Sequence, residues 1–292
     1  MSSETVSKYF REVAVTVKAH MFAPRVLGID EVYIHHKARA VFADMDNHVI
    51  IDILDNNLKE TVKNFILALK GHENIAAVTM DMNSGYKNAV KETLPKAYAV
   101  VDKFHVIAKV EHVILNYFNS YKRSAKKDEK GYLWGLRKAL LTDRGKLDED
   151  KKTRLNVLFA KYPVLKEAYW TKEDLRDVYK AKNVVEANEM LNYWMENIPK
   201  GVAHFKEVKK TIKNCRHELV NYFNFPGENL TNGLVESLNN KPKDLIRMGN
   251  NFDFETLRAK VLLKQEVEKK PPLKKGNASR NHKKKEKGDD SN

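Results

Sequence analysis

Five short apolar runs, Val26 to Tyr33, Ala38 to Met45, Val49 to Leu54, Ile75 to Met80 and Ala97 to Val101, crowd the first third of the chain, and from Val106 to about Phe225 no strand pattern recurs. Runs of this length, rich in β-branched residues and bounded by turn formers, read as strands. Asp46-Asn47-His48 sits between the second and third as a hairpin turn, so the first three form an antiparallel meander. The fourth run is reached through a helical pattern that opens at Asn57, repeats through Val62, Phe65, Ile66 and Leu69, and ends at Gly71. A second helix, Tyr86 to Leu94, is closed by Pro95 and leads to the fifth. Crossover rules return the fourth strand beside the first. The expected sheet is therefore mixed, with helices on its faces.

Acids stand where these strands end. The run Arg25-Val26-Leu27-Gly28-Ile29 stops on Asp30 and Glu31, the fourth strand stops on Asp81, and the fifth runs into Asp102-Lys103-Phe104-His105. One Asp after a strand is more often a turn former bonded to its own backbone. With the fourth strand beside the first, however, Asp30 and Asp81 share the edge where open α/β sheets gather ligands. A third acid, Glu236, lies one turn inside the capped helical stretch Leu230 to Asn240, with Leu234, Val235 and Leu238 to hold it against the sheet. Carboxylate oxygens suit hard divalent cations such as Mg²⁺, and two such ions can clamp the attacking and leaving oxygens of a phosphoryl displacement.

The net charge of +14 points to a polyanionic partner, nucleic acid first. A single cysteine, Cys215, excludes an internal disulfide framework and a Cys-rich zinc site. No apolar run approaches the roughly 20 residues that span a bilayer, so a cytoplasmic protein at the nucleoid, without membrane contact, is expected.

The expected organisation is a helical arm at 1–22, with Val6, Phe10 and Val13 on one face; the first part of the core at 23–110; an all-helical insertion of four to six helices at 111–225; the last part of the core at 226–266; and a disordered basic tail at 267–292. Breaks in the insertion are expected at Gly131, Gly145, Pro163 and Pro199. Its aromatics, Trp134, Tyr169, Trp170 and Trp194 among them, read as helix-to-helix core. A last helix starts in the stretch Asn251 to Lys260, and from Lys269 onward nine basic residues face three acidic ones.

Four ordered motifs, Leu27-Gly28-Ile29-Asp30-Glu31, Asp81-Met82-Asn83-Ser84-Gly85-Tyr86, Val101-Asp102-Lys103-Phe104-His105-Val106 and Asn232-Gly233-Leu234-Val235-Glu236-Ser237-Leu238-Asn239-Asn240-Lys241, resemble the DDE transposases of the ISL-three group of bacterial insertion sequences. Arg247, Gly249, Phe252, Phe254 and Arg258 resemble that group's closing segment. The resemblance implies an α/β, RNase H-like mixed five-stranded sheet flanked by helices and interrupted by an all-α insertion. It puts the catalytic and metal-binding acids on Asp30, Asp81 and Glu236, with two Mg²⁺ or Mn²⁺ ions as cofactors. Asp102 is the alternative second ligand, and His105 either positions the scissile phosphate or braces the sheet edge. The implied activity is metal-dependent DNA cleavage and strand transfer, with transposon ends and target DNA as partners and a homo-oligomer as the active complex.

Two departures accompany the resemblance. Members of the family carry an N-terminal zinc-binding and helix-turn-helix region, whereas this sequence starts near its last helix, of which 1–22 is a candidate remnant or else a packing arm, with no CxxC pair, and Pro242 stands where the family carries an aliphatic residue. The alternative reading is accordingly a truncated, catalytically inactive remnant that only binds DNA. Another RNase H-like nuclease, such as a junction resolvase, fits less well because of the long helical insertion.

Overall fold

The computed structural model of the protein describes residues 22–226, 228, 230 and 252–268, with positions 5, 8, 9 and 12 before them. Glu236, Pro242, the helix expected around them, the N-terminal arm as a unit and the basic tail lie outside the described residues.

Five strands, β1 (Val26–Ile34), β2 (Lys37–Asp44), β3 (Val49–Ile53), β4 (Ala77–Met80) and β5 (Tyr98–Val101), form one sheet in the order β3-β2-β1-β4-β5. The meander β1-β2-β3 is antiparallel, whereas β4 and β5 lie parallel to β1, as their helical crossovers require. This is the mixed five-stranded, helix-flanked sheet of an RNase H-like α/β fold. The crossovers are α1 (Lys59–Ala68) and α2 (Ser84–Thr93). The observed β4 starts at Ala77 rather than Ile75, because His72–Asn74 first make a 3₁₀ turn entered through Gly71 at φ +76°, a left-handed geometry that glycine adopts without strain.

Beyond β5 the described chain is helical: α3 (Lys103–Ser124), α4 (Lys127–Leu141), α5 (Glu149–Lys161), α6 (Pro163–Val178), α7 (Val184–Glu196), α8 (Phe205–Asn214) and α9 (Arg216–Val220). Seven helices replace the expected four to six. Gly131 is the clearest correction: it lies exposed inside α4, and the helix runs through it. A helical glycine costs about 1 kcal/mol relative to alanine, too little to end a helix that its neighbours bury. Pro163 behaves as expected, standing in the first turn of α6, where no backbone donor is needed. A final helix, α10 (Phe254–Glu268), closes the described chain.

The pleat sorts the core into two layers. Leu27, Ile29, Phe42, Val78 and Met80 point to the side where Val62 and Ile66 of α1 and Tyr86 and Val90 of α2 cover them. Val32, Ile34, Val41, Ala43 and Ile53 point the other way, onto Leu257, Val261 and Leu262 of α10. Each such aliphatic side chain, fully removed from water, contributes about 1.5–3 kcal/mol. Arg258 fastens α10 to β3 by a two-pronged pair with the buried Asp52, at 2.5 Å on each prong. The helices after β5 have their own core, which reaches the sheet through Val101. Among the described residues no helix is long and apolar enough to cross a membrane.

Candidate functional site at the sheet edge

The strand register builds the site. Ile29 of β1 stands opposite Met80 of β4, and Met80 stands opposite Val101 of β5. The next residue of each strand, Asp30, Asp81 and Asp102, therefore falls in one row across three parallel strands about 4.8 Å apart. The hydrogen bond from the Asp102 amide to the Met80 carbonyl, 2.8 Å, carries this alignment past the last paired residues.

Each acid is also held locally. Asp30 accepts the Glu31 amide at 2.8 Å, and Asp81 accepts the Asn83 amide at 2.8 Å. Asn83 in turn accepts the Gly85 amide and so caps α2, while Asp102 caps α3 by accepting the Phe104 amide at 3.0 Å. Such caps satisfy amides that have no partner inside the helix. The turn-former reading and the ligand reading of these aspartates are thus compatible: the backbone bonds orient the carboxylates.

Asp30 is 6% exposed and Asp102 only 1%. His105, in the first turn of α3, bridges them, with Nε2 at 3.7 Å from Asp30 Oδ1 and 3.8 Å from Asp102 Oδ2. These separations are electrostatic contacts, too long for hydrogen bonds. Burial pushes the Asp30 carboxyl up to about 6, and the charges of Asp81 and Asp102 push the same way, against the Glu31 amide and His105. Burial also raises Asp81, with Glu31 adding to the rise and His105 and Lys109 opposing it.

Three further groups belong to this edge. Lys109 lies four residues after His105 on α3 and acts electrostatically on Asp81. Glu31 turns to the opposite pleat and accepts Asn57 Nδ2 at 2.5 Å. Tyr86, fully buried beneath the acids, has a hydroxyl with no hydrogen-bond partner, and burial together with Asp81, Glu31 and Asp30 holds its ionisation far above the ordinary tyrosine range. The i, i+4 spacing from His105 could have revealed Lys109 from sequence, whereas Asn57 and Tyr86 are joined to the site only by tertiary packing. Beside Asp81, between α2 and the α8–α9 junction, opens a cavity of about 370 Å³, bordered by Lys87, Asn214 and Glu218.

Carboxyl oxygens whose charge is disfavoured, first by burial and then by neighbouring acids, are suited to a hard divalent cation, which would favour the ionised form. Among the described residues, no three acidic, histidine or cysteine side chains are already disposed around a metal position. Asp30, Asp81, Asp102 and His105 are brought together, and Glu236 lies outside the described residues.

Comparison with known proteins bears on the chain as a whole. A protein-family model described as "Transposase", of the ISL-three group, matches residues 27–261. The transposase for insertion sequence element IS1001 from Bordetella parapertussis is 26% identical over 238 residues, which are 77% of this chain and 57% of that protein. The chain thus spans little more than half the length of this curated relative. A family match that begins in β1 and ends in α10, well over half of the sequence, identifies the protein as a member of the ISL-three group of DDE transposases.

Proposed function

We propose that this transposase cleaves DNA and joins strands with the help of divalent cations, using Asp30, Asp81 and Glu236 as the carboxylate ligands. Asp30 carries the reading: a carboxyl buried at a switch-point edge and raised to about 6 beside two further aspartates is costly for folding and suited to cation binding. Divalent ions of the kind used by this family lower the pKa of a bound water or hydroxyl and neutralise charge on the transferring phosphate.

The chain's own residues do the rest. The backbone amides of Glu31 and Asn83 fix the Asp30 and Asp81 carboxylates before any ligand arrives, so little reorganisation is required. Asp81 is the preferred second ligand over Asp102, since it acts more strongly on Asp30 and is less buried. Asp102 then anchors the α3 N-terminus and, with Asp30, orients His105. His105, 41% exposed, can donate a hydrogen bond to a phosphate oxygen, and Lys109 adds positive charge on the same face of α3. DNA is the expected substrate and a homo-oligomer the expected active assembly.

Two measurements test the reading. Asp30→Asn, Asp81→Asn and Glu236→Gln should each abolish Mg²⁺- or Mn²⁺-dependent nicking of supercoiled DNA while DNA retention persists. Independently of activity, Mg²⁺ should raise the melting temperature of the wild type and leave that of Asp30→Asn unchanged. Unaltered nicking by the triple variant would overturn the proposal and leave a protein that only binds DNA.

A further inference from the structure

His35, at φ 50°, and His36, at φ 62°, are two of the three non-glycine residues with positive φ among those described. They form the two-residue turn between β1 and β2, closed by the pairing of Ile34 with Lys37. Hairpins of this kind need positive φ at both central positions, which Asn-Gly supplies with least strain. A side chain with a Cβ is disfavoured there by roughly 1–2 kcal/mol. Histidine is one of the few side chains enriched at such positions, and His48 in the β2–β3 turn shares the geometry, so the case for a role rests on where this turn stands.

The position of the turn gives it a use. β4 and β5 end at Met80 and Val101, level with Ile29, but β1 continues past Asp30 to Ile34 with β2 paired alongside. Four residues beyond Asp30, at about 3.4 Å each, carry the tip roughly 14 Å out from the acid row. That distance is the axial rise of about four base pairs of duplex DNA. The overhanging tip presents Tyr33, 67% exposed, together with exposed His35, His36 and Lys37. An ammonium, two imidazoles and a phenol are donors and stacking surfaces that suit a sugar-phosphate backbone. Lys37 also acts electrostatically on Asp55, so its charge is partly offset on the inner side of the hairpin.

We propose that the β1–β2 tip is a DNA-gripping finger: Tyr33, His35, His36 and Lys37 hold the duplex backbone about four base pairs from the phosphodiester seated at the acids. This rests on the reading of Asp30 and its neighbours as the cleavage site. The finger holds DNA in position and takes no part in the chemical step.

The test uses the full chain with His35→Asn and His36→Gly combined, which gives the turn its preferred residues and removes both imidazoles. The double variant should melt no lower than the wild type, yet bind a short fluorescent duplex about threefold to tenfold more weakly, a loss of roughly 0.7–1.4 kcal/mol. Lys37→Gln should lower the slope of log affinity against log salt by about 0.9. A photocrosslinking residue at position 33 should label duplex DNA. Unchanged affinity in the double variant together with no crosslink at position 33 would overturn the finger, as would crosslinking only to a second copy of the chain. Repeating the binding series in an Asp30→Asn background separates the two proposals. Weaker binding there, with a wild type that never nicks DNA, would sink the cleavage site and keep the finger; nicking with tip-independent binding would do the reverse.

Discussion

Two of the regions in which the described residues bury ionisable groups treat them in opposite ways. In the helical region, Lys172 of α6 is fully buried, yet its Nζ lies 2.6 Å from Glu173 Oε1 and donates to the carbonyls of Leu140 at 2.7 Å and Thr142 at 3.2 Å. Arg176, one turn later, donates to the Leu141 carbonyl at 2.9 Å and to Glu111 of α3 at 2.5 Å. These two cations satisfy carbonyls that the C-terminus of α4 leaves without helical partners, and they favour the negative end of its dipole. At the sheet edge, by contrast, Asp30 and Asp102 share one histidine at electrostatic distance beside Asp81, and Asp30 is pushed up to about 6. One cluster is balanced to hold helices together; the other gathers buried acids at one edge, as the proposed cation site requires. The lesson is that burial of charge by itself does not mark a site: the sign and placement of the partners do.

The largest expected effect would break this comparison if it failed. Removing an edge carboxylate, as in Asp81→Asn, should reduce divalent-cation-dependent cleavage by about a thousandfold or more in a plasmid-nicking assay. Lys172→Met should do the opposite kind of damage. Taking the Lys172 ammonium from Glu173 and from the Leu140 and Thr142 carbonyls should lower unfolding free energy by about 3–5 kcal/mol in a urea titration, with no specific loss per folded molecule.

Asp30→Asn should stabilise the metal-free protein. The folded carboxyl titrates at about 6 against 3.8 for a free aspartate, so between those values the native state binds more protons than the unfolded chain. Stability conferred by this site is therefore lost as pH rises through that window and stays lower above it. The variant should gain roughly 2–3 kcal/mol well above pH 6 and almost nothing below pH 4, read from chemical denaturation at both ends. A gain that is equal at both ends would assign it to packing and remove the electrostatic contrast. Tyr86→Phe, which deletes a buried hydroxyl without a partner, should add about 1 kcal/mol or leave stability unchanged. In the helical region, Gly131→Ala should add about 1 kcal/mol, since nothing lies within 4 Å of the new methyl group.

Much of the sheet was legible because its signals are local. The five apolar runs have the strand period, and the turn and helix formers between them dictate which neighbours are antiparallel and which need a crossover. Gly131 misled because a breaker's effect depends on whether tertiary packing supports the helix around it. The split of α8 from α9 at Cys215 carries no glycine or proline signal at all. Asp30, Asp81 and Asp102 could be named from their places after apolar runs. Tyr86, which reads as an ordinary helix position, could not be linked to them.

By itself, the sequence determined the order of strands and crossovers, the positions where acids end those strands, and the excess of positive charge. These follow from period, spacing and composition, which are properties of neighbouring residues. Only the tertiary structure decided that Asp30, Asp81 and Asp102 stand in one row, that His105 reaches two of them, and that the β1–β2 tip overhangs the row. Register and burial set those relations, and both arise from contacts between residues far apart in the chain, where hydrogen-bond pairing and exclusion of water fix geometry and shift ionisation.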